Sequence, residues 1–235
     1  MKTQLPKGSF LTFGNHKLPE TTATINLCQA KNCPSRALGM CQLARFGDPK
    51  DLCYGLDMEK RCSSVRIRAE RLEDFFDQLE IDYEDPTTAG IDLAAALWSH
   101  CRRSTDALRI SVQGDFKNLF QLQTIEVAAR TIRYVLDPAH RFVTYCYTAR
   151  QDLWEQLKAH NPKAFVINGA GFMADNLYEV VHPLDFDDHE DGACLGSCDS
   201  CQFCLTATGR YISAPLRVRS LKHIARPGRI PHESR

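Results

Sequence analysis

The chain has 235 residues, 29 basic and 29 acidic side chains, and 11 cysteines. That length buries one good core, or one core with a small appendage, and the balanced charge excludes a global polyanion-binding field. No segment has the order of a signal peptide and no apolar run approaches ~18 residues, so a cytosolic, non-membrane protein is expected; an odd number of cysteines in a reducing compartment argues for metal or cluster binding over a disulfide framework.

In chain order, residues 1–62 read as a loop-rich segment carrying Cys28, Cys33, Cys41, Cys53 and Cys62. Within it, 22–27 is a short strand that leads into the first cysteine. Residues 63–183 alternate helix and strand. Apolar residues at helical spacing predict helices over 65–79 and 91–103. Residues 108–113 alternate as a strand that stops at Gly114-Asp115. A helix over 119–135 is closed by Asp137-Pro138, and a strand over 141–147 ends at Thr148-Ala149-Arg150. A helix over 151–158, a strand over 164–168 and a short strand over 178–181 follow. Residues 184–235 hold an acidic lead-in, a cysteine run and a basic tail. The three segments are taken together as one compact domain.

Strand and helix alternating at these intervals predict parallel crossover units. The expected fold is α/β, an open or partial parallel α/β barrel with cysteine-rich loop regions at both ends. Ligands in such folds collect at the C-terminal ends of the strands. That rule selects Gln113, Asp115, Thr148, Arg150 and Asn168. Asp115 and Arg150 are the candidate catalytic residues. The competing reading makes Asp115 a turn cap and Arg150 a surface residue.

Cys194, Cys198, Cys201 and Cys204 fall within eleven residues, spaced C-x3-C-x2-C-x2-C on a Gly-, Ser- and Asp-rich stretch. Contiguous thiols of this kind converge on one centre. A 4Fe–4S cluster takes four thiolates, often three from one tight run. Zinc is the alternative, although its four-thiolate sites usually combine two separated C-x2-C knuckles. Cys194-x3-Cys198-x2-Cys201 also matches the three-cysteine loop of radical S-adenosylmethionine enzymes. Against that match, Cys204 fills the position left open for the cofactor, Ser200 stands where an aromatic residue is usual, and the run comes late in the chain. Cys28, Cys33, Cys41 and Cys53 form a looser second four-thiolate set, with Cys62 as the substitute ligand. Cys101 is read as lying on a helix and Cys146 within a strand, both as core thiols, and His182 and His189 as surface histidines.

The chain resembles a family encoded by bacteriophages and mobile elements and known as gene product eighty-eight. The resemblance runs over Gly14-Asn15-x-Lys17-Leu18, Cys53-Tyr54-Gly55, Arg66-x-Arg68-x-Glu70-Arg71, Gly114-Asp115-Phe116, Tyr147-Thr148-Ala149-Arg150 and Cys198-x2-Cys201-x2-Cys204. Gly55 stands where members commonly carry alanine, and Ala149 is inserted. The resemblance implies an iron–sulfur protein on a radical-enzyme-like α/β scaffold, with no settled activity.

The expectation is therefore a protein with two 4Fe–4S clusters in a redox or electron-transfer role, with an unidentified electron donor as partner, in the cytoplasm of a bacterial host. One alternative is a radical S-adenosylmethionine-like enzyme, with that cofactor on one incomplete cluster. The other is a metal-folded nucleic-acid-binding module using Arg61, Arg66, Arg68 and Arg71 with the tail residues Arg217, Arg219, Lys222, His223, Arg226 and Arg229. Such binding is strongly salt-dependent.

Overall fold

The computed structural model describes residues 10–216 except 16, 112, 190, 195, 197, 199 and 200. Seven strands form one sheet in chain order. They are β1 (Thr12–Phe13), β2 (Thr22–Ile25), β3 (Ala107–Ile110), β4 (Val143–Thr148), β5 (Phe165–Ala170), β6 (Asn176–Val181) and β7 (Tyr211–Pro215). β1 runs antiparallel to β2, and every later neighbouring pair is parallel. The sheet is therefore mostly parallel, as predicted. β1 and β7 stand at its two ends, and no pairing between them closes a barrel among the described residues. Strands from the first and last segments of the chain lie in the same sheet as those of the middle.

Between the strands run α1 (Pro34–Ala37), α2 (Pro49–Leu52), α3 (Tyr54–Arg61), α4 (Ser63–Asp82), α5 (Pro86–His100), α6 (Leu119–Thr131) and α7 (Gln151–Trp154). α4 extends the predicted helix at both ends and buries Ala69, Leu72, Phe75, Phe76 and Leu79. α5 starts five residues before the predicted 91, because Asp85 caps the amides of Thr87 and Thr88 and Pro86 fits the first turn. It ends at His100, so Cys101 is its C-cap and half-buried instead of lying within it. α6 is capped by Asn118 and passes into a wider, π-type turn over Ile132–Leu136. α7 stops after one turn, short of the predicted 158.

β3 ends three residues before the predicted 113. Ser111 adopts a left-handed φ of 63° and its hydroxyl bonds the Gly114 carbonyl, so the chain leaves the sheet there. The N-terminal segment is less irregular than expected: three short helices and two 3-10 turns (Ala30–Asn32 and Gln42–Arg45) carry its cysteines.

The period-two alternation of the strands separates two faces. Leu108, Ile110, Cys146, Phe165 and Ile167 point into the main core with α4, α5 and α6. Gly90 lets α5 and α6 approach closely, since a Cβ there would lie 2.6 Å from Val127 Cβ and 2.7 Å from the Thr124 carbonyl oxygen. On the opposite face Ala107, Tyr145 and Val166 pack with Val143, Tyr147, Cys204 and Leu205. The C-terminal cysteine run covers this second face. No helix among the described residues is long and apolar enough to cross a membrane.

Candidate metal centres

Cys28 lies three residues beyond the end of β2 and is buried, its sulfur 3.8 Å from the Asp115 carbonyl oxygen. It presses on Gly114, where a Cβ would lie 2.5 Å from the Cys28 sulfur and the φ of +78° suits glycine alone. Cys33 precedes α1, with Pro34 in its first turn; Cys41 precedes the Gln42–Arg45 turn, and Cys53 precedes α3. Each thiol thus sits where the chain changes direction.

These four thiols form a chain of electrostatic neighbours, Cys28 beside Cys33, and Cys33 beside Cys41 and Cys53. Burial pushes Cys28 up to about 12, the hydrogen bond to the Asp115 backbone opposing and the charges of Cys33 and Glu73 adding to it. Burial likewise pushes Cys33 up to about 12, with Asp115, Cys41 and Cys53 adding to it. Cys41 is raised by burial and then by Cys53 and Asp115. Burial thus favours the protonated form of Cys28, Cys33 and Cys41. Cys62 instead caps α4, where the Ser64 hydroxyl, 3.2 Å away, and the Val65 amide hold its thiol below the ordinary value.

Of the strand-end residues selected from the sequence, Gln113, Asp115, Thr148 and Arg150 form a hydrogen-bonded layer beside this set, whereas Asn168 faces the C-terminal quartet. The Asp115 carboxylate accepts from four donors: the Ser35 hydroxyl, the Thr148 hydroxyl (2.6 Å), the Ala149 amide (2.9 Å) and the Phe116 amide (2.8 Å). Ser35 belongs to α1, and its carbonyl accepts from the amides of Met40 and Cys41. Asp115 thereby ties the cysteine-bearing segment to the ends of β3 and β4. Its acidity is weakened by burial, against the pull of those hydrogen bonds.

Arg150 is buried, not on the surface. Its Nη1 donates to the carbonyls of Phe116 (2.7 Å) and Lys117 (3.0 Å), and its Nε and Nη2 take both oxygens of Asp152. Gln113 donates to Glu59 at 2.8 Å, and the same Glu59 oxygen accepts from the Ala30 amide at 2.7 Å. The segment then crosses to the far strands. Gln42 exchanges hydrogen bonds with the Tyr178 carbonyl and the Val180 amide, and Arg45 pairs with Glu179 at 2.8 Å.

The C-terminal quartet is fastened at three places. The Cys194 amide donates to the Ser213 carbonyl of β7 at 2.7 Å, and the Cys198 amide to the Lys17 carbonyl at 2.9 Å. The turn Phe203–Leu205 is held by two buried asparagines: Asn168 Nδ2 donates to the Cys204 carbonyl at 3.2 Å, and Asn176 Nδ2 to the Thr206 carbonyl at 2.8 Å. Here too the thiols are neighbours. Cys198 is raised by burial, then by Cys194 and Cys201, with Arg109 opposing. Burial pushes Cys204 up to about 12, with a hydrogen bond from Tyr147 and the charge of Arg109 opposing.

Among the described residues no three His, Cys, Asp or Glu side chains close around a point as a single metal ion requires. Four thiolates on one zinc ion stand about 3.8 Å apart, whereas a cubane carries them on separate irons. Of the remaining residues read from the sequence, Cys146 lies fully buried in the main core. His182 is buried, contrary to the surface reading, and its Nδ1 accepts from the Leu184 amide; His189 is exposed. Arg217, Arg219, Lys222, His223, Arg226 and Arg229 lie outside the described residues.

Asn176 and Arg109 had no motif to mark them, Tyr147 was marked only as the first residue of the motif Tyr147-Thr148-Ala149-Arg150, and Asn168 only by its strand-end position. Comparison with protein-family models, with curated proteins and with solved structures gives no match.

Proposed function

We propose that this chain is an iron–sulfur protein with two 4Fe–4S clusters in a redox or electron-transfer role. Cys28, Cys33, Cys41 and Cys53 hold one, and Cys194, Cys198, Cys201 and Cys204 hold the other. When bound, each cluster supplies one-electron transfer. The observation that carries the reading is that each of these eight thiols feels the charge of at least one other in its own set, the first set linked through Cys33 and Cys41 and the second through Cys194 and Cys201. The first of them is assembled from residues spread over 26 positions of the chain. The motif resemblance to the gene product eighty-eight family supports the same chemistry.

The chain's own residues set the terms of that chemistry. Burial of Cys28 and half-burial of Cys33 and Cys204 limit water at the sulfurs. Asp115, Arg150 and Gln113 hold the first group in place, so Asp115 and Arg150 act as positioning residues in this reading. The strand order, each parallel strand added beside the last, supports an open or partial barrel with one group at the strand ends and the other on the inner face. Tyr145 packs in the same group of residues as Cys204, and Thr148 bonds Asp115. Those two residues are three positions apart on β4, about 10 Å along a strand.

The deciding experiment is iron, sulfide and zinc content on anaerobically purified protein. About eight irons and eight sulfides per chain are expected, with a broad absorption near ~400 nm. Cys204→Ala and Cys53→Ala should each keep about half. Colourless protein loaded with zinc overturns the reading.

A further inference from the structure

Arg109 lies on β3, on the sheet face that carries the quartet. Its guanidinium carbon is 4.9 Å from the centroid of the Tyr147 ring, which packs edge-on against Tyr145 and Tyr178. Its Nε is buried without a hydrogen-bond partner, and no carboxylate pairs with the guanidinium among the described residues. Arg109 as a whole is half-buried, and the face of one ring only partly offsets the loss of water around a guanidinium that has no carboxylate beside it. An anion on this face of the sheet would offset the rest.

The groups facing Arg109 are the phenols of Tyr145, Tyr147 and Tyr178 and the thiol of Cys204. Burial holds the Tyr145 and Tyr147 phenols well above their ordinary value, so these two stay neutral. Cys204 packs in the same group of side chains as Tyr145 and Tyr147, and the Asn168 bond to its carbonyl keeps it there. The thiols of this quartet become anionic when a metal binds.

We propose that Arg109 is the half-buried counter-charge of the C-terminal thiolate centre, offsetting the negative charge that four thiolates bring to this face of the sheet. The inference rests on the quartet being a thiolate centre, but not on which metal it takes. Four thiolates on a divalent ion carry a net charge of about −2, as they do on an oxidised 4Fe–4S cluster, and reduction adds one more. A fixed cation therefore strengthens binding of either and favours the reduced cluster. Lysine in place of Arg109 preserves the charge and gives up the planar stacking.

The test uses the full chain in a Cys53→Ala background, which leaves the quartet as the intact four-thiol site. Cobalt(II) titration of the metal-free protein reports affinity through thiolate-to-cobalt absorption, and circular dichroism confirms folding. Arg109→Gln should weaken cobalt binding at least tenfold, and Arg109→Lys should restore it to within about threefold of the parent. On anaerobically loaded protein, Arg109→Gln should lower the midpoint potential by a tenfold change in the reduction equilibrium, about 59 mV for one electron.

Unchanged affinity and potential in Arg109→Gln overturn the proposal. So does equal weakening by Gln and Lys, which marks a packing role. If zinc and not iron fills the site, the two-cluster reading fails while the cobalt arm still decides the role of Arg109. If the parent binds no cobalt through thiolates, the quartet is not a metal site and both fail.

Discussion

The Nδ2 of Asn176 donates to the Oδ1 of Asn168 at 3.0 Å, joining β6 to β5 through two fully buried side chains. The pair then turns outward: Asn168 takes the Cys204 carbonyl, and Asn176 takes the Thr206 carbonyl and accepts from the amides of Thr208 and Arg210. The far end of the cysteine loop is pinned to the sheet by these side chains, while its start is held by a backbone bridge from Ala193 to Ser213 of β7. Replacing Asn176 with alanine removes one buried and several part-buried hydrogen bonds. At about 1–3 kcal/mol for each stranded group, Asn176→Ala should lose roughly 2–4 kcal/mol in urea unfolding. Its metal content should fall to that of the N-terminal centre alone. Full metal content in this variant would show that the quartet holds its shape without the pair.

Gly114 and Cys28 make a second, tighter contact. Gly114→Ala has to accommodate a Cβ 2.5 Å from the Cys28 sulfur and 3.0 Å from its carbonyl oxygen, at a φ of +78°. The left-handed backbone alone costs about 1–2 kcal/mol with a side chain, and the sulfur contact adds to it. Cys28 should be displaced, so the variant should lose metal from the N-terminal set and keep the quartet loaded. Metal analysis of Gly114→Ala combined with Cys204→Ala checks this, since the double variant should then hold almost none.

The sequence made the ligand chemistry legible and the scaffold partly so. Thiol spacing is a covalent property, so the quartet could be read directly, and the alternation of Leu108, Ile110 and their neighbours exposed the parallel strands. Strand ends were harder to place, because β3 stops at a positive φ on Ser111 that no residue preference announces. β7 was hidden by the basic residues that follow it, although Ile212, Ser213 and Ala214 are buried within the sheet. Asp115 was visible as a strand-end acid. Its four hydrogen bonds come from residues up to 80 positions away, and only the fold brings them together.

Asp115→Asn tests that network. Each carboxylate oxygen accepts one backbone amide and one hydroxyl: Phe116 and Thr148 on Oδ1, Ala149 and Ser35 on Oδ2. In either orientation an asparagine turns its NH2 toward one of the two amides, leaving a buried N–H without an acceptor. A loss of about 2–3 kcal/mol is expected, with weaker metal retention at the N-terminal set under a chelator challenge. Stability equal to the parent would remove Asp115 from the positioning role.

Glu126 offers a pH-dependent prediction far from the cysteines. It is buried on α6, accepting from Arg130 Nε at 2.8 Å and from the Asn161 amide at 3.0 Å. Burial raises its folded value above the ordinary one, with Arg130 and the Asn161 amide only partly opposing. A carboxyl raised on folding contributes stability that is fully present below its unfolded value, about 4.3, and is lost as pH climbs through the folded value. Glutamine imitates the neutral form and pays no ionisation cost. Glu126→Gln should therefore compare least favourably with the parent in acid and gain on it steadily as pH rises. Urea midpoints for both proteins, measured at intervals from pH 4 to 8, give the difference directly. A difference that stays flat, or that widens against glutamine toward pH 8, would mean that Arg130 and the Asn161 amide outweigh burial and that the Glu126 carboxylate is ionised in the folded protein at no cost.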